Sequence, residues 1–496
     1  MLISLYTVRI KLDILGITDY GIYNIVGGVV VLFTFINSAM TQATQRFLNF
    51  AIGQNDKEQV RNVFSTSFII HILIASIIVI LAETVGLWFF YNVLNIPLDR
   101  QNAAFWVYQF SILVTVINIL HVPYRAIIIA HEKMSFYALL SIIEALLRLG
   151  IVFLLVLILF DKLIVYAFLV SIVSLIVLFI HKIYCNKMFE AAHFRLCKDK
   201  DLFKNLASFS GWSIFGSFSE MTRNNGTNIL LNTFYGVALN AAMGIAAQVN
   251  SAINSFVNNF QTAFRPQIIK LYAAKEYESF MKLVFRSSKA SFLLIFFFVL
   301  PFILNADFIL HLWLGNVPEY AVVFTQLILL NSLELSLIEP LVMSIQATGK
   351  IKKYQIIYSC FNLANLPISF LFLWLGFSPV YVLITRIGLN FIAIIWRIFF
   401  LRKRIDLKIL HFLREVIVPV FLIVLISGTI TYFIQGFFID WHKLLISCAV
   451  STVSIISLVY LIGLNKQEKL LLRNWIGVNY FRKNMNKRHT RKNKDI

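Results

Sequence analysis

Charge is scarce in this sequence. Asp, Glu, Lys and Arg make up 14% of its 496 residues, roughly half the share of an ordinary soluble chain. The shortage falls mainly on acid, with 24 Asp and Glu against 44 Lys and Arg. Cysteine is scarce too, and Cys185, Cys197, Cys360 and Cys448 are too scattered to form a disulfide framework or a metal cluster. No GxxxxGK[ST] or GxGxxG phosphate loop occurs, no HExxH, and no Cys/His cluster. These shortages speak against a soluble enzyme and a nucleic-acid domain. The 47 Phe speak against a disordered chain.

What fills the space is apolar: 59% hydrophobic and 15% aromatic residues, with a mean hydropathy of +0.79. A spanning helix needs about 20 mostly apolar residues. Runs of that length lie near 22–46, 64–90, 104–130, 138–160, 162–184, 206–234, 236–264, 290–312, 320–347, 355–375, 378–400, 416–437 and 442–464. The fold class is an all-α polytopic membrane protein. Thirteen spans make alternate connections face opposite sides, and the basic residues sort accordingly. Of the 44 Lys and Arg, 34 fall in one set of connections and the tail, and five in the other set. That asymmetry puts the basic set in the cytoplasm. It explains the net charge of +20 without a nucleic-acid partner, and anionic lipid headgroups are the natural neighbours of these loops. The connections on the far side are each under about 20 residues, too short for a catalytic domain.

The chain repeats itself. At a lag of 217 residues Gly27 falls on Gly244, Ile36-Asn37-Ser38 on Ile253-Asn254-Ser255, Pro123 on Pro340, Ala130 on Ala347, Lys133 on Lys350 and Tyr137 on Tyr354. Two parallel six-helix halves follow, related by an axis along the membrane normal. The expected organisation is an N-terminal lobe over 1–185, a basic cytoplasmic linker over 186–205 and a C-terminal lobe over 206–401. A basic loop over 402–415, an appended helix pair over 416–464 and a basic tail over 465–496 complete it. By the repeat, the first half lacks most of its opening helix, of which Met1–Ile10 is the remnant, and an upstream start is expected.

Polar groups inside a membrane span face a bundle interior or a wet cavity. Ser213, Ser217, Glu220, Arg223, Asn224, Thr227 and Asn228 cover little more than a third of one helix. The next helix aligns Asn250, Asn254, Asn258 and Gln261, and its repeat partner aligns Thr34, Asn37, Ser38, Thr41 and Gln45. Such stripes line a hydrophilic lumen or bond helix to helix. Glu144 and Arg148, four apart, read as a neutralised pair. Arg125 reads equally as interfacial or ligand-binding, Arg46 as interfacial, and His71 and His121 as packing groups.

Several segments carry a family likeness: Gly16-Ile-Thr-Asp19-Tyr-Gly-Ile-Tyr-Asn24, Asn37-Ser-Ala-Met-Thr-Gln-Ala-Thr-Gln-Arg-Phe47, Ile129-Ala-His-Glu-Lys133, Ser208-Phe-Ser-Gly-Trp212 and Gln346-Ala-Thr-Gly-Lys350. Together they resemble Wzx-type polysaccharide flippases of the MOP (multidrug/oligosaccharidyl-lipid/polysaccharide) superfamily. The resemblance implies a MATE-like V of two lobes around a central cavity. It also implies a bacterial inner-membrane location and flipping of an undecaprenyl-diphosphate-linked glycan by alternating access. In that setting Arg223 is the expected diphosphate contact, with Arg125, Arg148 and Arg386 as secondary cations. Glu220, Asn224, Asn228, Asn250, Asn254, Asn258, Asn37, Thr41 and Gln45 would line the substrate cavity. No catalytic residue, metal or cofactor is expected beyond a coupling Na+ or H+. The expected partners are the lipid-linked glycan, membrane lipids and other polysaccharide-assembly proteins. The alternatives are MATE-type cation-coupled drug efflux and, more distantly, a membrane glycan polymerase or ligase.

Overall fold

A computed structural model describes residues 34–92, 94, 96–195, 199–464 and 468–469, with 10–11, 14–16, 19, 21–23 and 26. The expected helix remnant up to Met1 and most of the basic tail lie outside the described residues. Every long described element is a helix, and no strand occurs among the described residues. In order they are α1 Thr34–Gly53, α2 Lys57–Leu81, α3 Gln101–Ala130, α4 Met134–Leu154, α5 Lys162–Met188 and α6 Lys200–Tyr235. After these come α7 Val237–Ala273, α8 Tyr277–Leu304, α9 Ala306–Leu314, α10 Ala321–Ala347, α11 Lys352–Trp374, α12 Val380–Ile405, α13 Val418–Gln435 and α14 Asp440–Leu458.

Among the described residues, ten helical segments are long and apolar enough to cross a membrane. Three long helices fall short of that hydropathy, and they are α1, α6 and α7, the carriers of the three polar stripes. With them the thirteen apolar runs each have a helix. The short α9 continues the apolar run near 290–312 beyond a break at Asn305, which composition alone does not mark. Aspartates start several of these helices. Asp56, Asp161 and Asp199 accept from the backbone N–H groups of Gln59, Leu163 and Leu202 at 2.9, 3.0 and 2.9 Å, satisfying donors that a first turn leaves free.

The repeat is visible in the helix ends. Adding 217 to Ala130 gives Ala347, the last residues of α3 and α10. Adding it to Met188 gives Ile405, the last residues of α5 and α12. Both α3 and α10 carry a proline at equivalent positions, Pro123 and Pro340. The repeat-equivalent helices α2 and α8 are interrupted at a similar depth, by a π turn at Ala82–Gly86 in one and by a break at Asn305 in the other. Gly53 and Lys270 stand 217 apart and touch: a Cβ on Gly53 would lie 2.6 Å from the Lys270 carbonyl oxygen. Equivalent residues can meet only close to the axis that relates them.

The chain divides into two compact units. One comprises Met1–Gly236, Asn258–Val284 and Glu339–Arg397; the other comprises Val237–Val257, Phe285–Ile338 and Ile398–Ile496. In the first, Met40, Leu48, Phe64, Tyr124, Ile127 and Leu206 share an apolar core that joins α1, α2, α3 and α6. Around the Gly53 contact, Arg46 donates to the Ala347 carbonyl at 3.2 Å, Gln346 pairs with Gln42 at 3.0 Å, and Glu132 binds Lys270 and Gln267. Arg46 is therefore buried among protein groups, with its guanidinium over the Phe47 and Phe50 rings. Nearby aromatic faces let a cation with few acceptors stay charged. In the second unit, Val420, Ile423 and Ile455 of α13 and α14 pack into a core with Val257, Ile295, Val299 and Leu329. The appended pair is thus seated by ordinary apolar packing.

Candidate functional site

The most polar helix, α6, splits its stripe between two tasks. Its small residues let α11 approach closely: a Cβ on Gly216 would lie 2.4 Å from Gln355 Oε1, and one on Gly226 2.7 Å from Leu366 Cδ1. Along that seam Arg223 Nη1 donates to Asn362 Oδ1 at 2.8 Å, Asn362 Nδ2 donates to Ser219 Oγ at 3.3 Å, and Thr227 donates to Asn365 Oδ1 at 3.5 Å. This part of the stripe bonds helix to helix. Glu220, Asn224 and Asn228, one turn apart on the neighbouring face, are exposed.

Arg223 stands at the border. Its side chain is 2% exposed, and its Nη2 lies 3.9 Å from Glu220 Oε1, whose own side chain is 53% exposed. Nε and Nη2 are buried without a hydrogen-bond partner. Breaking or leaving such a pair incomplete is costly in a low-dielectric interior, so the position is not explained by packing alone.

Further cations surround it. Arg386 of α12 lies within electrostatic reach of both Arg223 and Glu220. Glu339 of α10 binds Arg265 of α7 at 3.1 Å and lies within reach of Arg397 and Glu220. Arg397 is 3% exposed and sits over the Tyr354 and Tyr358 rings, 5.5 and 4.6 Å from their centroids. Nε of each of these three arginines is buried without a partner. Four guanidinium groups thus face two carboxylates, an excess of two positive charges beside the exposed Glu220–Asn224–Asn228 face.

The family described as "Polysaccharide biosynthesis protein" matches residues 1–272. The chain belongs to that family. Among curated proteins no relative matches its sequence. Its fold is that of MATE and MOP transporters. A MATE in the straight conformation superposes with a TM-score of 0.68 at 14% identity, covering 81% of this chain and 95% of that one. The MATE transporter ClbM in complex with Rb+ gives 0.68 at 15%, covering 80% and 90%. A MOP superfamily transporter from Pyrococcus furiosus gives 0.67 at 14%, covering 82% and 93%. These likenesses show the fold, and the family match places the chain among polysaccharide biosynthesis proteins.

The remaining expected residues of this polysaccharide-biosynthesis family member separate by place. Asn250 and Asn254 form a network in the second unit: Asn254 Nδ2 donates to Asn250 Oδ1 at 2.7 Å and to Ser332 Oγ at 3.1 Å, and Ser332 donates to Asn250 Oδ1 at 2.5 Å. Asn258 belongs to the first unit and is exposed. On α1, Thr41 bonds back to the Asn37 carbonyl at 2.8 Å, and Gln45 is buried at 4% exposure, so Gln45 is packed inside rather than open. Glu144 and Arg148 form the expected pair, at 3.0 and 2.9 Å. Arg125 meets Tyr137 on α4 and takes no part in the α6 stripe. Sequence reasoning passed over Arg265 and Arg397, which charge counting assigns to cytoplasmic connections although both lie inside helices. One signal was available. Tyr137 and Tyr354 are repeat equivalents, and each carries a guanidinium over its ring, from Arg125 and Arg397.

Proposed function

We propose that the chain moves a lipid-linked oligosaccharide, an undecaprenyl-diphosphate glycan, across the bacterial inner membrane for surface polysaccharide assembly. The observation that carries this reading is the excess of two positive charges in the cluster of Arg223, Arg265, Arg386 and Arg397 with Glu220 and Glu339. A diphosphate diester is doubly negative, and guanidinium groups with unused N–H donors match its oxygens in geometry as well as in charge. Asn224 and Asn228 beside the cluster offer amides to sugar hydroxyls. The lipid chain stays in the bilayer, where its transfer costs nothing. The basic connections and the tail face the cytoplasm, where the substrate is made. The protein itself performs no bond chemistry in this reading; a coupling Na+ or H+ would supply only direction.

The MATE-like fold is shared by drug-efflux transporters, so the fold does not separate the two functions. The charge sign supports the first: a net positive cluster disfavours the cationic drugs of efflux and favours an anionic headgroup. The test is binding of undecaprenyl diphosphate against undecaprenyl monophosphate to the purified protein, read by native mass spectrometry. Preference for the diphosphate that disappears in Arg386→Gln supports the reading. Equal binding of both lipids, together with ethidium resistance conferred on a sensitive host, refutes it.

A further inference from the structure

A second polar cavity, apart from the α6 stripe, lies within the first unit among α3, α4 and α5. It has a volume of about 100 Å³. Its walls include Asn118, His121 and Arg125 of α3, Tyr137 and Glu144 of α4, and His181 of α5. The His121 and His181 rings meet edge to face with centroids 3.9 Å apart. His181 Nδ1 lies 2.9 Å from the Val177 carbonyl oxygen, so that nitrogen carries the ring proton. His121 is 8% exposed, and its Nε2 is buried without a hydrogen-bond partner.

The charges do not balance. Glu144 is the one carboxylate on the wall, and Arg148 already holds it through two hydrogen bonds. Arg125 donates to the Tyr137 hydroxyl at 2.7 Å, and among the described residues no carboxylate oxygen lies within ion-pair distance of it. The phenol accepts that bond, leaving its own O–H proton directed elsewhere. An uncompensated guanidinium inside a membrane lobe is costly. A cation in the cavity would worsen the imbalance, and water would leave it.

We propose that this cavity binds one small monovalent inorganic anion of the size and charge of chloride. Arg125, the Tyr137 hydroxyl, the His121 Nε2–H and the Asn118 amide are its donors. The space suits this class, since it holds about three water-sized occupants, too few for a hydrated oxyanion with a lipid attached. The site is separate from the diphosphate cluster, and its occupancy is read without any glycan.

The test uses the full chain purified in detergent, with unfolding followed by tryptophan fluorescence in sodium chloride, bromide, gluconate or sulfate at equal ionic strength. Chloride and bromide should raise Tm saturably by roughly 2–4 °C over gluconate, by binding only the folded state, and sulfate should not. Arg125→Gln and Tyr137→Phe should each abolish the halide dependence, and a bromide-soaked crystal should show anomalous density beside Arg125. Should Arg125→Gln fail to fold, Tyr137→Phe carries the comparison. Identical Tm in chloride and gluconate would mean water alone and overturn the proposal. A halide shift that survives Tyr137→Phe would mean a general salt effect, and a sulfate shift equal to that of chloride would remove the size argument; either result overturns it.

Discussion

Replacing Arg223 by Met separates what that residue does for the fold from what it does for transport. The change removes one charge-assisted hydrogen bond, to Asn362 at 2.8 Å, a loss of about 1.5–3 kcal/mol. It also removes a buried charge whose Nε and Nη2 have no partner, which relieves about 1–3 kcal/mol for each unsatisfied donor. The contact to Glu220 contributes little, because at 3.9 Å from a carboxylate side chain that is 53% exposed it is largely screened. The two donors make that relief about 2–6 kcal/mol, and the Asn362 oxygen left without its donor adds about 1–3 kcal/mol to the loss, so the two sides nearly cancel while an apolar side chain of similar length fills the space. Arg223→Met should therefore unfold within about 2 kcal/mol of the parent. Asn362→Leu does the opposite: it keeps the charge and removes its acceptor, and should cost about 3–5 kcal/mol, a loss the double variant recovers. Transport should not follow stability. If Arg223 contributes one guanidinium–phosphate contact of about 1.5–3 kcal/mol, Arg223→Met should slow glycan export roughly 10- to 100-fold. The assay pairs thermal unfolding of purified protein with surface polysaccharide quantified in cells that hold equal amounts of protein in the membrane. Full export by Arg223→Met would show that the residue serves α6–α11 packing alone.

Three further outcomes test the rest of the account. Gly53→Ala should weaken the contact between repeat equivalents, since its Cβ would lie 2.6 Å from backbone at Lys270, which cannot swing aside as a side chain can; cross-linking between cysteines placed at Glu132 and Lys270 should fall, and unchanged cross-linking refutes the steric argument. Swapping charges at Glu132 and Lys270 together should restore what Glu132→Lys alone loses in export, because the ion pair is regenerated with reversed sign; no restoration means their contact is incidental. A fluorescent-protein fusion after Ile496 should be bright and an alkaline phosphatase fusion there inactive, as ten Lys and Arg in 465–496 resist translocation; the reverse pattern would overturn the count of thirteen spans.

The sequence by itself determined that the chain is helical, spans the membrane many times and is built from a duplicated unit. The reason is that lipid enforces a one-dimensional rule: each crossing must bury its own backbone bonds and present about 20 apolar residues. Such a rule is readable without any tertiary contact, and the 217-residue lag reappears in the ends of α3, α5, α10 and α12. The three polar stripes were legible for the same reason. Which side of each stripe does what was not. Periodicity places Glu220, Arg223, Asn224 and Thr227 on one arc, but only the position of Asn362, 139 residues beyond Arg223, decides that Arg223 turns inward while Asn224 stays exposed. Charge counting likewise took Arg265 and Arg397 for loop residues, because a helix that keeps its partners inside the bundle can carry an arginine well before its end. Burial of Gln45 and Arg46, and the enclosure of His121 with Arg125 and His181, depend on which helices become neighbours. That choice rests on small residues such as Gly53, Gly216 and Gly226, whose missing side chains admit a particular partner, and close packing between distant segments leaves no period in the sequence to read.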